Sequence, residues 1–232
     1  MRAMLLAAGL GMRLRPLTQH VPKPLISIAG ATMIDRMLDH LVDAGITDVV
    51  INTHHLGDQI KQHVATRAKP KISILHETKL LDTGGAVRHA LSLIGGSTFL
   101  VLNSDVIMLN GVEPFLTRML DTWRSHMKAL LLLYPTVRAF GYNGLGDFNI
   151  EPDGKIRRRV ERELAPYLFT GVQILDRELF EDCPITPFSL NRIYDAAQET
   201  GHLFGVVHDG EWMHVGTMDA MARIENHLKL LS

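Results

Sequence analysis

The sequence has few of the features that mark secreted, membrane-spanning or nucleic-acid-binding proteins. Its 232 residues include one cysteine, Cys183, so no internal disulfide can form. No apolar run approaches the length needed to span a bilayer. The formal net charge of −1 favours neither nucleic acid nor an acidic membrane surface as the main partner. Because no signal-peptide cleavage pattern follows the first apolar run, we expect a cytoplasmic protein.

Apolar runs that alternate with helical patterns predict the fold. The runs that could form buried strands are AMLLAA, DVVINT, KISIL, TFLVLN and KALLLLY. Between the first two lies TMIDRMLDHLVDAG, whose apolar residues repeat with helical spacing and whose Gly45 is placed to end the helix. Strand followed by helix, repeated, predicts an α/β fold with a mainly parallel central sheet flanked by helices.

The pattern changes after about Tyr134. The segments FGYNGLGDFNI, PDGK and PYLFTGVQIL predict β-hairpins added to the end or side of the sheet. FSLNRIYDAAQETG and TMDAMARIENHLKLL predict two further helices. With no linker, repeat or low-complexity tract, we expect a single domain over residues 1–232, in which 1–134 and 135–232 have different roles.

A glycine-rich turn and a group of cations follow the first strand. The stretch MLLAAGLGMRLRPLTQHVPKPL exposes backbone N–H groups around Gly9 and Gly11, where an anion or a base can approach closely. A lone Gly-x-Gly is often only a tight turn. Here cations suited to phosphate follow it, and Lys23 lies between prolines that restrict the backbone. The cations are Arg13, Arg15 and Lys23. The stretch is neither a Walker loop nor a complete dinucleotide fingerprint.

A carboxylate is expected at the same edge of the sheet. Asp105 follows the apolar run TFLVLN, and ligands of open α/β sheets bind at the carboxyl ends of strands. It could hold Mg²⁺, which prefers oxygen ligands, or it could only cap the turn after the strand. Asn52 and His54 follow another strand and are expected to line a pocket. Asp105→Asn is expected to leave stability without ligands unchanged or improved, because it relieves repulsion.

LLAAGLGMRLRPLTQHVPKPL closely resembles the signature L-x-A-G-x-G-x-R-L-x-P-L-T-x-x-x-P-K-P-L of the sugar-1-phosphate nucleotidyltransferases. The resemblance continues through DTGGAVRHAL, LVLNSDV and WMHVGT, and so covers nearly the whole chain. It implies a Rossmann-like nucleotidyltransferase sandwich that converts a nucleoside triphosphate and a sugar 1-phosphate into a nucleotide sugar and pyrophosphate. Within the family, the short chain and the segment LDTGGAVRHAL most resemble the N-acetylmuramate-1-phosphate uridylyltransferases. UTP is therefore the first expectation, with the mannose-1-phosphate guanylyltransferases and GTP as the alternative.

The resemblance also implies roles for individual residues. It implies that Arg13 contacts the leaving pyrophosphate, Lys23 the α-phosphate or the incoming phosphate, and Asp105 Mg²⁺. The residues implied in nucleotide binding are Ala8, Gly9, Gly11, Met12, Arg13, Lys23, Gly84, Gly85 and Asn103. Those implied in binding the sugar phosphate are Gly146, Asp147, Glu161, Thr170 and Gly171. Gly84 and Gly85 begin a predicted helix, with Asp82 or Thr83 as its expected cap.

The chain departs from the family pattern in two places. In EWMHVGT, His214 occupies the position of the family's second metal carboxylate. Imidazole is a poorer Mg²⁺ ligand than carboxylate, so His214 could bind the metal, reach it through water, contact a phosphate or simply pack. VERE replaces the family's E-K-P segment, which implies Glu161 as an acceptor for a sugar hydroxyl and Arg162 in place of the lysine.

Two other functions stay open. A nicotinamide-dependent oxidoreductase is disfavoured because the third glycine and the acidic ribose-binding residue are absent. A non-catalytic nucleotide-binding homologue is compatible with His214. The basic run KIRRR is expected to be a solvated hairpin face, not a nucleic-acid patch. The expected partners are a nucleoside triphosphate and a sugar 1-phosphate, without nucleic acid or membrane, in a monomer or small homo-oligomer.

Overall fold

A computed structural model describes residues 1–140 and 142–231. Its strands are β1 (Arg2–Leu6), β2 (Ser27–Ile28), β3 (Ala31–Thr32), β4 (Asp48–Thr53), β5 (Lys71–His76), β6 (Thr98–Asn103), β7 (Val106–Leu109), β8 (Ala129–Pro135), β9 (Phe148–Ile150), β10 (Ile156–Arg158), β11 (Tyr167–Asp176), β12 (Leu203–Val207) and β13 (Glu211–His214). Its α-helices are α1 (Met33–Asp43), α2 (Gly57–Val64), α3 (Asp82–Ile94), α4 (Phe115–Thr122), α5 (Asn191–Glu199) and α6 (Met218–Leu231). In the described part of the chain, no helix is long and apolar enough to cross a membrane.

The central sheet has the strand order β10-β9-β11-β6-β1-β4-β5, and β8 and β12 extend it from β11. The strands β6, β1, β4 and β5 are parallel to one another. They correspond to the first four apolar runs of the sequence. The predicted α/β fold, with a parallel central sheet flanked by helices, is confirmed.

Side chains of the central strands are buried on both faces of the sheet. Ala3 and Leu5 of β1 belong to one core cluster and Met4 to another, because successive residues of a strand point to opposite faces. Leu100 and Phe99 of β6 divide in the same way. Helices α1, α2 and α4 contribute to the first cluster, and α3 and α5 to the second. Burial on both faces explains why these strands are continuous apolar runs without alternation.

The first helix forms where the sequence predicts it. The Thr32 hydroxyl accepts a hydrogen bond from the Asp35 N–H and caps the amino end of α1. Gly45, with φ +75°, follows the helix, and its N–H donates to the Val42 carbonyl. The predicted apolar face is buried except for the half-buried Val42. The predicted helices at FSLNRIYDAAQETG and TMDAMARIENHLKLL are confirmed as α5 and α6.

The part after Tyr134 agrees only partly with expectation. The hairpin of β9 and β10 around PDGK is confirmed, whereas FGYNGLGDFNI contains Gly141, which lies outside the described residues. The prediction that PYLFTGVQIL is added at the side of the parallel strands is confirmed, because the segment pairs with β6 at their edge, but it forms one continuous strand and no hairpin. This segment forms β11, which lies between β6 and β8 and is antiparallel to both. Its register against β8 shifts between Phe169 and Gln173, so the Thr-Gly pair that resembles a turn is a β-bulge.

The strand order reverses beside β1. Strands β4 and β5 extend the sheet on one side of β1, and the next parallel strand, β6, lies on the other side. In open α/β sheets, ligands bind in the crevice at the carboxyl ends of strands where the order reverses. The glycine turn after β1 and the segment Asn103–Asp105 after β6 lie together at this crevice.

Candidate active site

The crevice contains residues that follow four strands of the sheet and residues of the lysine loop. Its lining residues are Leu6, Ala7, Ala8, Gly9, Lys23, Pro24, Asn52, Glu77, Leu80, Asp82, Thr83, Asn103, Ser104 and Asp105. A smaller recess beside it is lined by Gly9, Gly11, Met12, Arg13, Leu14, Lys23, Asp105 and Gly216. Most residues predicted to bind the nucleotide therefore lie around one cleft, which we call the nucleotide cleft.

The glycine turn leaves its backbone open toward the cleft. A Cβ at Gly9 would have no described atom within 4 Å, and no described residue accepts hydrogen bonds from the N–H groups of residues 9–13. Gly11 has φ +62°, and its carbonyl accepts a hydrogen bond from the buried Thr18 hydroxyl. Gly11 thus shapes the turn, while Gly9 leaves space for a ligand. Backbone N–H groups that have no acceptor among the described residues are available to a phosphate.

Lys23 and Asp105 form an ion pair at the centre of the cleft. Lys23 Nζ donates to Asp105 Oδ2 at 2.6 Å, and the lysine side chain is only 11% exposed. Burial alone would raise the pKa of the Asp105 carboxyl, but Lys23, with smaller contributions from His214 and Arg13, lowers this pKa below its ordinary value. Asp105 is therefore ionised at neutral pH, with Lys23 as its ion-pair partner.

His214 reaches this group through the pairing of β13 with β7. In that antiparallel ribbon, His214 lies opposite Val106, the residue after Asp105. His214 Nε2 is 3.4 Å from Arg13 Nη2, and since a guanidinium can only donate, Nε2 is the acceptor. Burial lowers the pKa of His214, and Lys23 and Arg13 lower it further, although Asp105 opposes them. The imidazole is therefore neutral at neutral pH.

The carboxylates close to His214 in the sequence have partners elsewhere in the described part of the chain. Asp209 pairs with Arg118, and Glu211 pairs with His227 on the other side of β13, as strand alternation predicts. Within the described residues there is no group of three or more His, Cys, Asp or Glu side chains that could hold a metal ion. Asp105 could supply one oxygen ligand, so a hard cation fits this cleft only if substrate phosphates and water complete its coordination.

The structural role of Asn52 is visible only in three dimensions. Its Oδ1 accepts from the Ala7 N–H at 2.9 Å and its Nδ2 donates to Glu77 Oε1 at 2.7 Å. Glu77, 2% exposed, also accepts the Leu81 N–H, so one buried network joins the ends of β1, β4 and β5 to the start of α3. His54 Nδ1 donates to the Glu77 carbonyl at 2.7 Å. The sequence predicted Asn52 and His54 as lining residues and missed Glu77, although Glu77 directly follows a strand at the same edge.

Gly84 and Gly85 are buried beneath the cleft wall. Their N–H groups donate to the Phe188 carbonyl, so neither Asp82 nor Thr83 supplies the expected side-chain cap of α3. The Thr83 hydroxyl instead accepts the Leu190 N–H. A Cβ at Gly84 would lie 2.3 Å from the Phe188 ring, and one at Gly85 would lie 2.2 Å from a backbone carbonyl oxygen. Both glycines permit close packing against the segment before α5, and their nucleotide contact stays a prediction.

A second cleft, which we call the acceptor cleft, lies next to Asp105. Its lining residues are Arg13, Asn103, Asp105, Val106, Tyr142, Asn143, Gly144, Phe169, Thr170, Trp212, His214, Gly216 and Thr217. Thr170 is fully buried: its hydroxyl donates to the Leu132 carbonyl, and its own carbonyl accepts from Trp212 Nε1. Gly171, with φ +91°, allows the bulge of β11 to approach the Asn103 side chain. Tyr142 and Trp212 were not predicted from the sequence.

The other predicted acceptor residues surround a third cleft that shares Phe169 with the acceptor cleft. Its lining residues are Asp147, Phe148, Arg158, Arg159, Glu161, Phe169, Asn191 and Tyr194. Asp147 accepts the Phe169 N–H, and Glu161 is exposed. Gly146 has φ +78°, and a Cβ there would lie 2.0 Å from the Ala165 carbonyl oxygen, so this glycine shapes its turn. Of the five residues predicted for the sugar, Thr170 lines the acceptor cleft and Asp147 and Glu161 line the third cleft, whereas Gly146 and Gly171 shape the backbone beside them.

Comparison with known proteins agrees with this geometry. A family model described as nucleotidyl transferase matches residues 2–229. The chain belongs to the nucleotidyltransferase family. This confirms the resemblance found in the sequence, and it excludes the oxidoreductase alternative at the level of the family.

Curated relatives of this nucleotidyltransferase carry names from the two predicted groups. The N-acetylmuramate alpha-1-phosphate uridylyltransferase of Caulobacter vibrioides is 38% identical over 97% of this chain and 96% of its own length. The protein of the same name from Neisseria meningitidis is 34% identical over 94% of both chains. The mannose-1-phosphate guanyltransferase beta-B of Xenopus laevis is 29% identical over 93% of this chain, which spans 61% of that longer protein.

Solved nucleotidyltransferase-like structures share the fold. A putative glucose-1-phosphate thymidylyltransferase from Bacillus anthracis, in complex with sucrose, superposes with a TM-score of 0.80 over 98% of this chain and 94% of its own. HddC from Yersinia pseudotuberculosis, complexed with GMP-PN, superposes with a TM-score of 0.76 over 98% of this chain and 99% of its own. Both are 22% identical to this nucleotidyltransferase, so they support its architecture alone.

Proposed function

We propose that the protein transfers the uridylyl group of UTP to N-acetylmuramate 1-phosphate and releases pyrophosphate. The observation that carries this proposal is the convergence of Arg13, Lys23 and Asp105 around an open glycine turn, at the crevice between β1 and β6. The choice of substrates is supported by the two uridylyltransferase relatives, which match this chain over nearly their whole length. The guanyltransferase match is weaker and covers only part of a longer protein.

The reaction needs no nucleophile from the protein. A phosphate oxygen of the sugar 1-phosphate attacks the α-phosphorus of the nucleotide, the new P–O bond forms, and the bond to the pyrophosphate oxygen breaks. The protein contributes positioning and charge stabilisation. We assign the leaving pyrophosphate to Arg13 and the α-phosphate or incoming phosphate to Lys23. Since Lys23 is held by Asp105 in the structure, its charge is already positioned before the substrates bind.

Mg²⁺ is the metal we propose for this site. Nucleotidyltransferases usually require a divalent cation, and Asp105 is the carboxylate available to it here. When bound, such a cation neutralises charge on the transferring phosphates. His214 is neutral and accepts from Arg13, so we assign it to fixing the Arg13 guanidinium and to a water-mediated contact with the metal. Substrate phosphates and water supply the remaining ligands.

We further propose that the two parts of the chain bind different substrates. Apart from Gly216 in its smaller recess, the nucleotide cleft is lined by residues before 134, whereas most residues of the acceptor and third clefts follow residue 134. This distribution supports nucleotide binding by residues 1–134 and sugar-phosphate binding by residues 135–232. A cytoplasmic location, a role in recycling cell-wall sugars, a monomeric or small homo-oligomeric state, and the absence of nucleic-acid and membrane partners stay predictions.

A substrate panel tests the proposal. Pyrophosphate release should be measured with UTP, GTP, CTP and dTTP against the 1-phosphates of N-acetylmuramate, N-acetylglucosamine and mannose, with Mg²⁺ and with a chelator. We expect the highest kcat/KM for UTP with N-acetylmuramate 1-phosphate and no turnover with the chelator. A preference for GTP with mannose 1-phosphate would contradict the proposed substrates. Nucleotide binding without turnover in every combination would instead support the non-catalytic homologue.

A further inference from the structure

Three successive arginines begin in β10, and only one of them lacks a carboxylate partner. Arg157 pairs with Glu163 at 2.6 Å, and Arg158 pairs with Asp195 on α5 at 2.5 Å. No carboxylate of the described residues lies within ion-pair distance of Arg159. Within the described part of the chain, Arg159 is therefore a positive charge without an ion-pair partner.

The Arg159 side chain is nevertheless held in place. Its Nε donates to the Gly146 carbonyl at 2.8 Å and its Nη1 to the Val160 carbonyl at 3.4 Å. The side chain is half-buried and lines the third cleft. Both contacts are to carbonyl oxygens, so the guanidinium keeps its full charge and has donors free for a ligand. A fixed, partly desolvated guanidinium binds a carboxylate or phosphate more strongly than a flexible surface cation does.

Arg159 lies at the junction of the third cleft and the acceptor cleft. Gly146, whose carbonyl it holds, donates its N–H to the hydroxyl of Tyr142, and Tyr142 lines the acceptor cleft. The other acidic and basic groups of the third cleft are Asp147, Glu161 and Arg158. Asp147 accepts the Phe169 N–H, and Arg158 is paired. Arg159 is thus the cation of this cleft that remains available to an anion.

The proposed substrate has a second anion that needs such a partner. N-acetylmuramate carries a lactyl ether on its ring, and the carboxylate of that ether is absent from N-acetylglucosamine and from mannose. The phosphate of the sugar is already assigned to the cations beside Asp105. Resting on the function proposed above, we propose that Arg159 binds the lactyl carboxylate and determines the specificity for N-acetylmuramate 1-phosphate. Arg159 is then a specificity residue that takes no part in the phosphoryl transfer.

The experiment compares two sugars that differ only in the lactyl group. Initial rates with UTP should be measured for wild type and Arg159→Gln, using N-acetylmuramate 1-phosphate and N-acetylglucosamine 1-phosphate. If N-acetylglucosamine 1-phosphate is too poor a substrate for its KM to be measured, its inhibition constant should be measured instead, with N-acetylmuramate 1-phosphate as the substrate. We expect Arg159→Gln to raise KM for N-acetylmuramate 1-phosphate by about tenfold or more, the effect of losing one charge-assisted hydrogen bond. The KM or inhibition constant of N-acetylglucosamine 1-phosphate, which lacks the carboxylate, should change by less than about twofold, and kcat should be nearly unchanged.

Arg157→Gln is the matched control. This substitution removes the same charge two residues earlier in the chain. Because the Arg157 guanidinium is already paired with Glu163, the ratio of the KM values for the two sugars should not change. Arg159→Lys should restore part of the discrimination, because it keeps the charge without the fork of donors. An equal loss for both sugars in Arg159→Gln, with wild type active on N-acetylmuramate 1-phosphate, would overturn the role of Arg159 and leave the proposed function standing. A wild type that binds neither sugar would overturn both.

Discussion

The Lys23–Asp105 ion pair changes the stability expected for a variant that lacks the Asp105 carboxylate. From the sequence, Asp105 is an isolated carboxylate facing phosphates, and its removal is expected to be neutral or stabilising. In the structure, Asp105→Asn leaves the nearly buried Lys23 without its partner. We therefore expect a loss of about 1 kcal/mol in the free energy of unfolding without ligands, together with the loss of Mg²⁺-dependent turnover.

The pH dependence of that loss follows from the pKa of Asp105. Because the pKa of the folded carboxyl lies below that of the unfolded chain, the pair stabilises the protein above about pH 4. This contribution disappears as pH falls through the lower, folded pKa. Urea unfolding of wild type and Asp105→Asn should therefore differ at neutral pH and converge in acid. The exposed Asp182→Asn is the control; an equally stable Asp105→Asn at neutral pH would contradict the prediction.

Arg13 and Lys23 are predicted to act on the transition state. Arg13→Ala and Lys23→Ala should each lower kcat by on the order of 10² or more, since preorganised charge in a water-poor site stabilises developing negative charge strongly. Circular dichroism should show an unchanged fold. The exposed Lys69→Ala removes the same charge elsewhere and should keep the wild-type rate. Near-normal turnover in both cleft variants would remove these residues from the mechanism.

At the scale of single residues, the sequence located the cations well and their neighbours poorly. The motif after β1 placed Gly9, Arg13 and Lys23, which the structure brings together at one cleft. It could not show that His214 accepts from Arg13, because that contact depends on the pairing of β13 with β7 between distant parts of the chain. The sequence likewise could not show that Arg157 and Arg158 form ion pairs whereas Arg159 does not, because Arg158 pairs with Asp195 on a distant helix.

The start of α3 gives a prediction at the scale of an element. Gly84→Ala should force the Phe188 ring away from the helix, since the added Cβ would lie 2.3 Å from it. We expect a loss of about 1–3 kcal/mol and a higher KM for the nucleotide, because Asp82 and Thr83 of the same turn line the nucleotide cleft. Thermal unfolding and initial rates measure the two effects.

The controls for this prediction use the same contact. Gly84→Ala combined with Phe188→Ala should recover part of the stability lost by Gly84→Ala, since it removes the clash with the ring but keeps the close approach, 2.9 Å, to the Phe188 carbonyl oxygen. Gly9→Ala has no described atom to meet and should leave the melting temperature unchanged, while it weakens nucleotide binding if a phosphate approaches that position. An unaltered stability of Gly84→Ala would show that the segment before α5 can move aside freely.

Strand β11 shows why the sheet was only partly predictable. Apolar runs identified the four parallel strands, and burial on both faces explains the runs of β6, β1 and β4, whereas the edge strand β5 is only partly buried. The Thr170–Gly171 pair within β11 resembles a turn in the sequence, and only the neighbouring strands show that it is a bulge. Pairing partners are long-range properties, so the sequence indicated that this segment is a strand but not that it lies between β6 and β8.

At the scale of the whole molecule, three histidines should make stability sensitive to mild acid. Burial lowers the pKa of His40, His208 and His214 below the ordinary value. Between the lowered pKa values and about 6.5, the unfolded chain binds more protons than the folded one, so stability falls as pH decreases. His208 is 1% exposed and lies against the rings of Phe115 and Tyr134, where a charge is costly.

Denaturant unfolding at about pH 7.5 and about pH 5.5 measures this effect, since it spans the titration of histidine. We expect wild type to lose stability at the lower pH, and His208→Gln to lose less between the two values even if it starts from a lower stability. Replacement of the exposed His20 by Gln is the control and should reproduce the wild-type difference. If His208→Gln loses as much stability between the two pH values as wild type does, His208 does not contribute to the acid sensitivity.

The position of β11 also limits how the chain can acquire its structure during synthesis. Strand β8 pairs only with β11 and β12 among the described residues, and both follow it in the chain. Until β11 has left the ribosome, β8 therefore has no partner, although most of its side chains are apolar and become buried. An unpaired apolar strand favours aggregation. A fragment that ends after residue 134 would keep the phosphate-binding turn but would carry this exposed strand permanently, so the two parts of the chain must fold together.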